Sequence, residues 1–241
     1  MKKILKKIPG VILLAQFFRI VFVPRQRSEW LLQREKPANL FQPVSQTAFD
    51  RFPRVFSFVR DRLEGVPSPR ILSFGCSTGE EVFTLRKYFP EAEIVGIDIN
   101  KRSIAVCRKK LKKNGDSKIR FKVAESASTE PAGHYDAIFC MSVLRHGGLS
   151  VSCPESCDGF IRFGDFENTV SGLARVLKPG GYFAIRASNF RFSDTADAAG
   201  FDVVLNIWEA PRADTPIYDP DNRLLPGLAY NEVIFCKLPA G

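Results

Sequence analysis

Between residues 70 and 186 short apolar runs alternate with amphipathic stretches, and this alternation constrains the fold more than any other feature of the sequence. Strands are predicted at residues 70–74, 93–97, 119–123, 135–141 and 182–186, with two more at 201–208 and 232–237. Helices are predicted between them, at residues 80–89, 101–113 and 165–177. Strands separated by helices pair in parallel and are covered on both faces. The sequence therefore predicts an α/β fold with a mostly parallel sheet of seven strands.

The chain divides into a basic extension at residues 1–66 and the predicted α/β domain at residues 67–241. Residues 1–70 hold 14 Lys and Arg against 5 Asp and Glu, whereas residues 71–241 hold 21 of each. The whole net charge of +9 therefore lies in residues 1–70. A basic arm beside a neutral domain predicts an anionic partner, either membrane or nucleic acid. A solubilising tail is the alternative.

The basic arm, residues 1–27, contains an apolar run at residues 8–23. A membrane-spanning helix needs about 20 apolar residues, and this run is shorter and carries Arg19. Its cationic flanks and wide apolar face are typical of an interfacial anchor. We therefore expect a cytoplasmic protein that rests on the inner face of the membrane, or else a helix packed on the α/β domain. Residues 25–45 are interpreted as a linker, and residues 46–64 as an amphipathic helix.

Six cysteines are too few and too scattered to indicate a disulfide framework in a chain of 241 residues. Cys153 and Cys157 are spaced C-x3-C, and His134 and His146 are the histidines of the chain. This spacing is not a usual zinc pattern, so we expect reduced thiols and no metal.

A glycine-rich loop, GCSTG at residues 75–79, connects the first predicted strand to the helix after it. Glycine allows a tight turn close to a ligand, and the free N–H groups at the helix start point to the same place. Asp98 ends the second strand, where a carboxylate can accept both hydroxyls of a ribose. Loop and acid indicate an adenosine-type cofactor and leave NAD and S-adenosylmethionine (SAM) open.

Three features favour SAM. Glu80 follows the loop at once, where it would repel the pyrophosphate of a dinucleotide but could pair with the ammonium group of SAM. A short polar patch follows the fourth strand in YDAIFCMSVL, residues 135–144. The third feature is the helix, KPGG turn and strand at residues 165–186.

Residues 70–190 resemble class I SAM-dependent methyltransferases, and ILSFGCSTGEE at residues 71–81 is closest to the first motif of the chemotaxis receptor glutamate methyltransferases. The resemblance implies a Rossmann-like fold with an antiparallel last strand, to which the N-terminal helical extension is added. It places the methionine end of SAM on Phe74, Gly75 and Glu80, the ribose on Asp98, and the adenine near Ala124 and Glu125. The cofactor-binding positions that it implies are Ser73, Phe74, Gly75, Cys76, Ser77, Gly79, Glu80, Asp98, Ile99, Ala124, Glu125, Cys140, Ser142 and Val143.

Several parts of the chain depart from these families. Ser73 stands where the general family has an acid, and Ser77 stands for a middle glycine; both departures are shared with the chemotaxis enzymes. The N-terminal region differs from theirs, and no receptor-docking subdomain follows the helix at residues 165–177. An irregular insertion at residues 147–164 follows the fourth strand instead, where we expect it to overhang the site as a lid or specificity element.

The sequence does not identify the methyl acceptor. We favour O-methylation of a small-molecule, glycan or lipid-linked acceptor, with His146 as the first candidate for a general base and Asp158 as the second. The polar stretches at residues 188–193 and 215–225 are candidates for the far wall of the acceptor pocket. The alternatives are a protein carboxyl methyltransferase and a SAM-binding protein without catalysis. Nucleic acid is disfavoured, because CMSV at residues 140–143 lacks an Asn/Asp-Pro-Pro-Tyr type motif. The sequence does not indicate an oligomeric state.

Overall fold

The computed structural model describes residues 22–239, apart from residues 36, 38, 46 and 208–214. Most of the predicted membrane anchor at residues 1–27 lies outside the described residues. The helices are α1 (Pro24–Glu35), α2 (Pro53–Arg62), α3 (Glu80–Tyr88), α4 (Lys101–Asn114), α5 (Gly147–Ser152) and α6 (Phe163–Val176). The strands are β1 (Arg70–Phe74), β2 (Glu93–Asp98), β3 (Ile119–Val123), β4 (Tyr135–Met141), β5 (Leu177–Arg186), β6 (Phe201–Asn206) and β7 (Glu232–Lys237).

The seven strands form one sheet in the order β3-β2-β1-β4-β5-β7-β6. β1 to β5 pair in parallel, and β7 is antiparallel to both of its neighbours. The strand order reverses between β1 and β4, and sheets of this kind open a crevice at the carboxyl ends of their strands at that place. The predicted fold is therefore confirmed, including the antiparallel last strand.

Local sequence signals account for the ends of α4. The side chain of Asn100 accepts hydrogen bonds from the backbone N–H groups of Arg102 at 3.0 Å and Ser103 at 3.4 Å, as an N-cap does. Gly115 closes the helix in a left-handed conformation with φ +74°. Both ends of this helix agree with the prediction.

The KPGG segment differs from the prediction. The turn predicted at residues 178–181 lies inside β5, which already begins at Leu177. On β4, Tyr135 pairs with Leu177, and the next paired residue, Ala137, pairs with Tyr182. The residues of β5 between Leu177 and Tyr182 therefore form a bulge. A bulge keeps both flanking segments hydrogen-bonded, which the turn residues alone did not reveal.

The linker predicted at residues 25–45 is wrong over its first part, because residues 24–35 form α1. The helix contains no buried residue, so the sequence lacked the apolar periodicity that indicates a packed helix. Pro24 occupies its first position, where proline is favoured, and Arg25 pairs with Glu29 at 2.9 Å. Among the described residues, no helix is long and apolar enough to cross a membrane.

The helix predicted at residues 46–64 is shorter than expected and is confirmed as α2, which begins at Pro53. Its residues Val55, Phe56 and Val59 are buried, and the ring of Phe56 lies 5.5 Å from that of Phe139 on β4. α2 therefore packs on one face of the sheet, against β4.

Candidate functional site

The loop between β1 and α3 turns back toward the sheet through three left-handed residues. Gly75, Ser77 and Gly79 have φ values of +73°, +50° and +92°. A Cβ atom on Gly75 would lie 2.4 Å from Cγ2 of Val143, so no larger residue fits there without displacing its neighbour. The loop and the end of β4 are therefore packed directly against each other.

Asp98 ends β2 beside this loop. Its carboxylate accepts hydrogen bonds from the backbone N–H groups of Ser77 and Asn100, each at 2.8 Å. Burial raises the pKa of Asp98, although these two hydrogen bonds act in the opposite direction. Each carboxylate oxygen keeps a lone pair, so the group is fixed in place and can still accept hydrogen bonds from a ligand.

A cleft of about 950 Å³ opens where β1, β2 and β4 end, and we call it the cofactor cleft. Most of the predicted cofactor residues line it, namely Phe74, Gly75, Cys76, Ser77, Asp98, Ile99, Ala124, Glu125, Ser142 and Val143. Four predicted residues lie elsewhere: Gly79 precedes α3, Cys140 is buried within β4, Ser73 is buried within β1, and Glu80 faces α4.

Glu80 was predicted to pair with a ligand ammonium group, but its carboxylate already has protein partners. Lys110 on α4 lies 2.6 Å from one oxygen, and the Thr78 hydroxyl donates to the other at 2.6 Å. Burial raises its pKa, but these two partners outweigh burial and the net pKa is lowered. This geometry counts against the predicted contact of Glu80 with the cofactor.

Glu81 takes the position that we predicted for Glu80. It lines the cofactor cleft and accepts a hydrogen bond from the Ser73 hydroxyl at 2.7 Å. Burial raises its pKa to about 7, and the Ser73 hydrogen bond and the charge of Arg51 oppose that rise. The Glu81 carboxylate thus lies beside Ser73, which stands where the general family has an acid.

Residues 39–52 form most of the outer side of the cofactor cleft, and we call this segment the N-terminal wall. It is tied to the α/β domain at several points. The backbone N–H of Asp50 donates to Thr84 Oγ1 on α3 at 3.1 Å, and Tyr88 donates to the Asp50 carboxylate at 2.8 Å. Arg51 donates to the Ser142 hydroxyl at 3.4 Å.

α1 supports the N-terminal wall from outside. The Ser28 hydroxyl donates to the side chain of Asn100 at 2.7 Å, and Asn100 also caps α4. Glu29 accepts the backbone N–H of Ser45 at 3.0 Å, and the Arg25 guanidinium donates to the Ser45 carbonyl. The residues interpreted as a linker therefore enclose the site.

His146 lies outside the lining of the cofactor cleft. It precedes α5, and its Nδ1 accepts the backbone N–H of Gly148 at 3.1 Å while its ring packs 5.0 Å from that of Phe160. An accepting Nδ1 leaves the proton of the neutral ring on Nε2, and burial lowers the pKa of the ring. This arrangement is that of a helix cap and counts against the predicted role as a base.

Asp158 is exposed, and its carboxylate accepts the Ser156 hydroxyl at 2.8 Å. It lines neither the cofactor cleft nor the second cleft described below. The predicted irregular insertion at residues 147–164 includes the short helix α5, and its Cys153 is exposed while Cys157 is buried. No group of three metal-ligating side chains occurs in the described part of the chain.

A second cleft lies where β5 ends and β7 begins. Arg186 on its wall lies 5.7 Å from the Phe52 ring, which lines the cofactor cleft. The backbone N–H of Ser142 donates to the Arg186 carbonyl at 2.8 Å, so the two clefts share adjacent residues. The predicted stretches at residues 188–193 and 215–225 both contribute to its lining, through Ser188 and through Thr215, Pro216, Ile217, Leu224 and Leu225.

The sequence analysis missed Arg51, Glu81 and the N-terminal wall. A signal for Glu81 existed, because the residues three and four positions after it, Thr84 and Leu85, are both buried, whereas of the corresponding residues after Glu80 only Thr84 is buried. Arg51 carried no such signal, since it belongs to no motif and reaches the site through the fold.

A family model described as a methyltransferase domain matches residues 67–210 of the chain. Among curated relatives, the demethylmenaquinone methyltransferase of Thermus thermophilus is 31% identical over 51% of this chain and 48% of its own length. The ubiquinone biosynthesis O-methyltransferase of Aromatoleum aromaticum is 28% identical over 54% of this chain and 50% of its own length. The chain thus matches about half the length of these two relatives.

One similar solved structure is the YcgJ protein of Bacillus subtilis, at 20% identity and a TM-score of 0.42. The match covers 56% of this chain and 50% of that one. The likeness of the first motif to chemotaxis receptor methyltransferases is not confirmed by the matches described here.

Proposed function

The chain belongs to the SAM-dependent methyltransferase-domain family, and on that premise we propose that it transfers a methyl group to the oxygen of a small-molecule acceptor. The observation that carries the proposal is the contact between the cofactor cleft and the second cleft through Ser142 and Arg186. Two adjacent clefts allow a donor and an acceptor to be held side by side, which is the main demand of a transfer reaction.

The cofactor cleft fits SAM in three respects. The hydroxyl of Ser77 is buried without a hydrogen-bond partner among the described residues, which suits a loop that closes on a polar ligand. Gly75 lets the loop pack directly against Val143 at the edge of the cleft, where a Cβ would have no room. Carboxylates of Asp98 and Glu81 and the nearby Arg51 offer groups of both signs, as the ribose, ammonium and carboxylate of SAM require.

We assign the ribose hydroxyls to Asp98, the ammonium group to Glu81 and the carboxylate to the neighbourhood of Arg51, which lines the same cleft. Ala124 and Glu125 line the far part of the cleft and are assigned to the adenine. SAM supplies an activated methyl group when bound. The chain's own contribution is to orient the two reactants and to exclude water, for which the N-terminal wall is placed over the cleft.

The names of the curated relatives favour a small-molecule acceptor. The relatives named above carry names of quinone-pathway enzymes, and one of them is an O-methyltransferase. Protein carboxyl methylation stays an alternative, and so does cofactor binding without catalysis.

The decisive experiment incubates the protein with radiolabelled SAM and fractionated cell extract. We expect the label in a small organic molecule or lipid, bound as an ether that survives mild base. Label in protein that is released by mild base would support the carboxyl alternative, and cofactor binding without label in any fraction would refute catalysis.

Membrane association is a second proposal, favoured by the surface of α1. Phe22 and Trp30 are 71% and 39% exposed, and Leu31 is exposed beside them. Arg27 and Arg34 lie on the same short segment, with Arg34 packed 5.4 Å from the Trp30 ring. Exposed apolar side chains beside cations favour contact with an anionic bilayer surface.

Flotation with vesicles of phosphatidylserine and phosphatidylcholine tests this proposal. We expect binding that weakens with salt, and a loss on combining Trp30→Ala with Leu31→Ala. The control is Val151→Ala, which changes a more exposed apolar residue on α5. Equal binding by both variants would contradict the proposed surface.

A further inference from the structure

The second cleft has the features of a ligand site with one carboxylate, that of Glu232, in its lining. Building on the proposed function, we propose that it binds the acceptor through Glu232, and that the acceptor is an apolar ring or chain carrying an O–H or N–H donor. The proposal combines three observations: an apolar lining, one unsatisfied buried oxygen, and contact with the cofactor cleft.

Apolar side chains make up most of the wall. Ile185, Ile207, Ile217 and Val233 are buried at its base, and Leu224, Leu225 and Leu228 stand around them. The cleft has a volume of about 420 Å³, which accommodates a small organic ligand. A surface of this kind favours an apolar body over a sugar or a phosphate.

Glu232 lies at the first position of β7 and lines the cleft. Its Oε2 is buried and has no hydrogen-bond partner within the part of the chain that the structure describes. Leaving a buried charged acceptor unsatisfied is costly, so such groups are rare unless a ligand completes them. A carboxylate oxygen accepts hydrogen bonds, and the missing partner is therefore a donor.

Tyr230 stands beside Glu232 on the same wall. Its hydroxyl accepts the backbone N–H of Phe192 at 2.9 Å, which fixes the phenol in place. Burial and the charge of Glu232 raise the pKa of Tyr230, so the phenol stays neutral at physiological pH. A hydrogen bond joins the side chains of Tyr230 and Glu232, so the carboxylate is held by a fixed neighbour, and Oε2 is the oxygen without a partner among the described residues.

The position of the second cleft relates it to the methyl donor. Arg186 lines the second cleft, and its backbone carbonyl is bonded to Ser142, which lines the cofactor cleft. A ligand whose donor group is held on Glu232 therefore occupies the cleft adjoining the cofactor.

The test compares two probes, 2-naphthol and 2-methoxynaphthalene, which share the same apolar body and differ in the O–H donor. Their affinity for the full chain is measured by fluorescence titration. We expect the wild type to favour naphthol at least about tenfold, as one hydrogen bond to a charged group allows. Glu232→Gln is expected to remove most of that preference, whereas the control Glu64→Gln, on an exposed residue, keeps it.

Ala229→Trp provides a second variant, because Ala229 is an exposed residue on the rim of the cleft. It should weaken both probes about equally by filling the cleft. Equal affinity of the two probes for the wild type, or an undiminished preference in Glu232→Gln, would overturn the proposal.

Binding of S-adenosylhomocysteine, measured by calorimetry in the same samples, separates this proposal from the proposed function. Both cleft variants should retain wild-type affinity. A wild type that transfers no methyl group but still discriminates between the probes would refute the proposed function and keep the site.

Discussion

The two clefts are built in opposite ways. The cofactor cleft is polar and rigid: a loop with three left-handed residues carries it, and the carboxylates of Asp98 and Glu81 are each held by hydrogen bonds from the protein. The second cleft is mostly apolar and holds the unsatisfied oxygen of Glu232. One site is adapted to a single ligand that many enzymes share, and the other relies on apolar contact and one polar group.

This difference suggests how specificity is divided. A site of fixed charges rejects a ligand that lacks the matching groups, because its buried polar atoms are then left unpaired. An apolar wall discriminates weakly between similar shapes. We therefore expect strict selection of the donor and broader selection of the acceptor.

The largest expected effect is a loss of SAM affinity that leaves ligand binding in the second cleft unchanged. Asp98→Ala removes the acceptor for the ribose hydroxyls and for two loop N–H groups, so SAM affinity should fall about a thousandfold. Calorimetry checks the loss, and naphthol binding in the second cleft should be unchanged. Asp98→Asn keeps the shape and one acceptor and should lose less. Near-normal SAM affinity in Asp98→Ala would sink the assignment of the cofactor cleft.

The next effect concerns which of two neighbouring glutamates serves the cofactor cleft. Burial raises the folded-state pKa of Glu81 to about 7, above its unfolded value near 4.5. The contribution of Glu81 to the unfolding free energy is therefore fully present below pH 4.5 and is lost as the pH rises through 7. Relative to Glu81→Gln, the wild type should lose roughly 3 kcal/mol of unfolding free energy over that range. Urea unfolding across the pH series measures it.

Glu80→Gln is the matched control on the preceding residue. The pKa of Glu80 is lowered, because Lys110 and Thr78 outweigh the effect of burial, so its contribution has the opposite sign. That contribution is present at neutral pH and is lost under acid conditions. Parallel pH profiles for both glutamine variants would contradict the different surroundings of these residues.

A smaller effect tests how closely the cofactor loop is packed. In Gly75→Ala the new methyl group would meet Val143 at 2.4 Å, whereas in Gly65→Ala nothing lies within 4 Å. Both glycines have positive φ, so both variants bear backbone strain. We expect Gly75→Ala to lose about 2 kcal/mol more unfolding free energy than Gly65→Ala. Equal losses of unfolding free energy in the two variants would mean that the loop shifts to accommodate the methyl group.

The smallest effect removes strain from the same loop. Ser77 has φ +50°, so Ser77→Gly should raise the unfolding free energy by about 1 kcal/mol. Ser171→Gly, at an exposed position within α6, should lower it by about 0.5 kcal/mol. Thermal denaturation of the two variants gives the comparison, and a loss in both would show that Ser77 is not strained.

Much of the fold could be predicted, because its signals are local. Asn100 and Gly115 mark the ends of α4, and the apolar runs of β1 to β4 differ from their flanks. α1 could not be predicted in this way, since it buries no side chain and is held by contacts with residues far along the chain, such as the hydrogen bond between Ser28 and Asn100.

The candidate site likewise has a part that local sequence signals predict and a part that only the folded chain brings together. Residues 74–77 and Asp98 follow one another in motifs, and their side chains meet because parallel strands end at one edge of the sheet. Arg51 comes from before the first strand, and Glu232 opens the last one, so only the folded chain brings them to their clefts. His146 stood in the right place along the sequence, but a backbone N–H occupies its Nδ1.

The N-terminal wall lies before residue 67, where the match to the methyltransferase-domain family begins. The shared core therefore binds its donor with one side supplied by a segment that the family match does not include. Any movement that widens this side of the cleft has to break the hydrogen bonds that join Asp50 to Thr84 and Tyr88, and the one that joins Arg51 to Ser142.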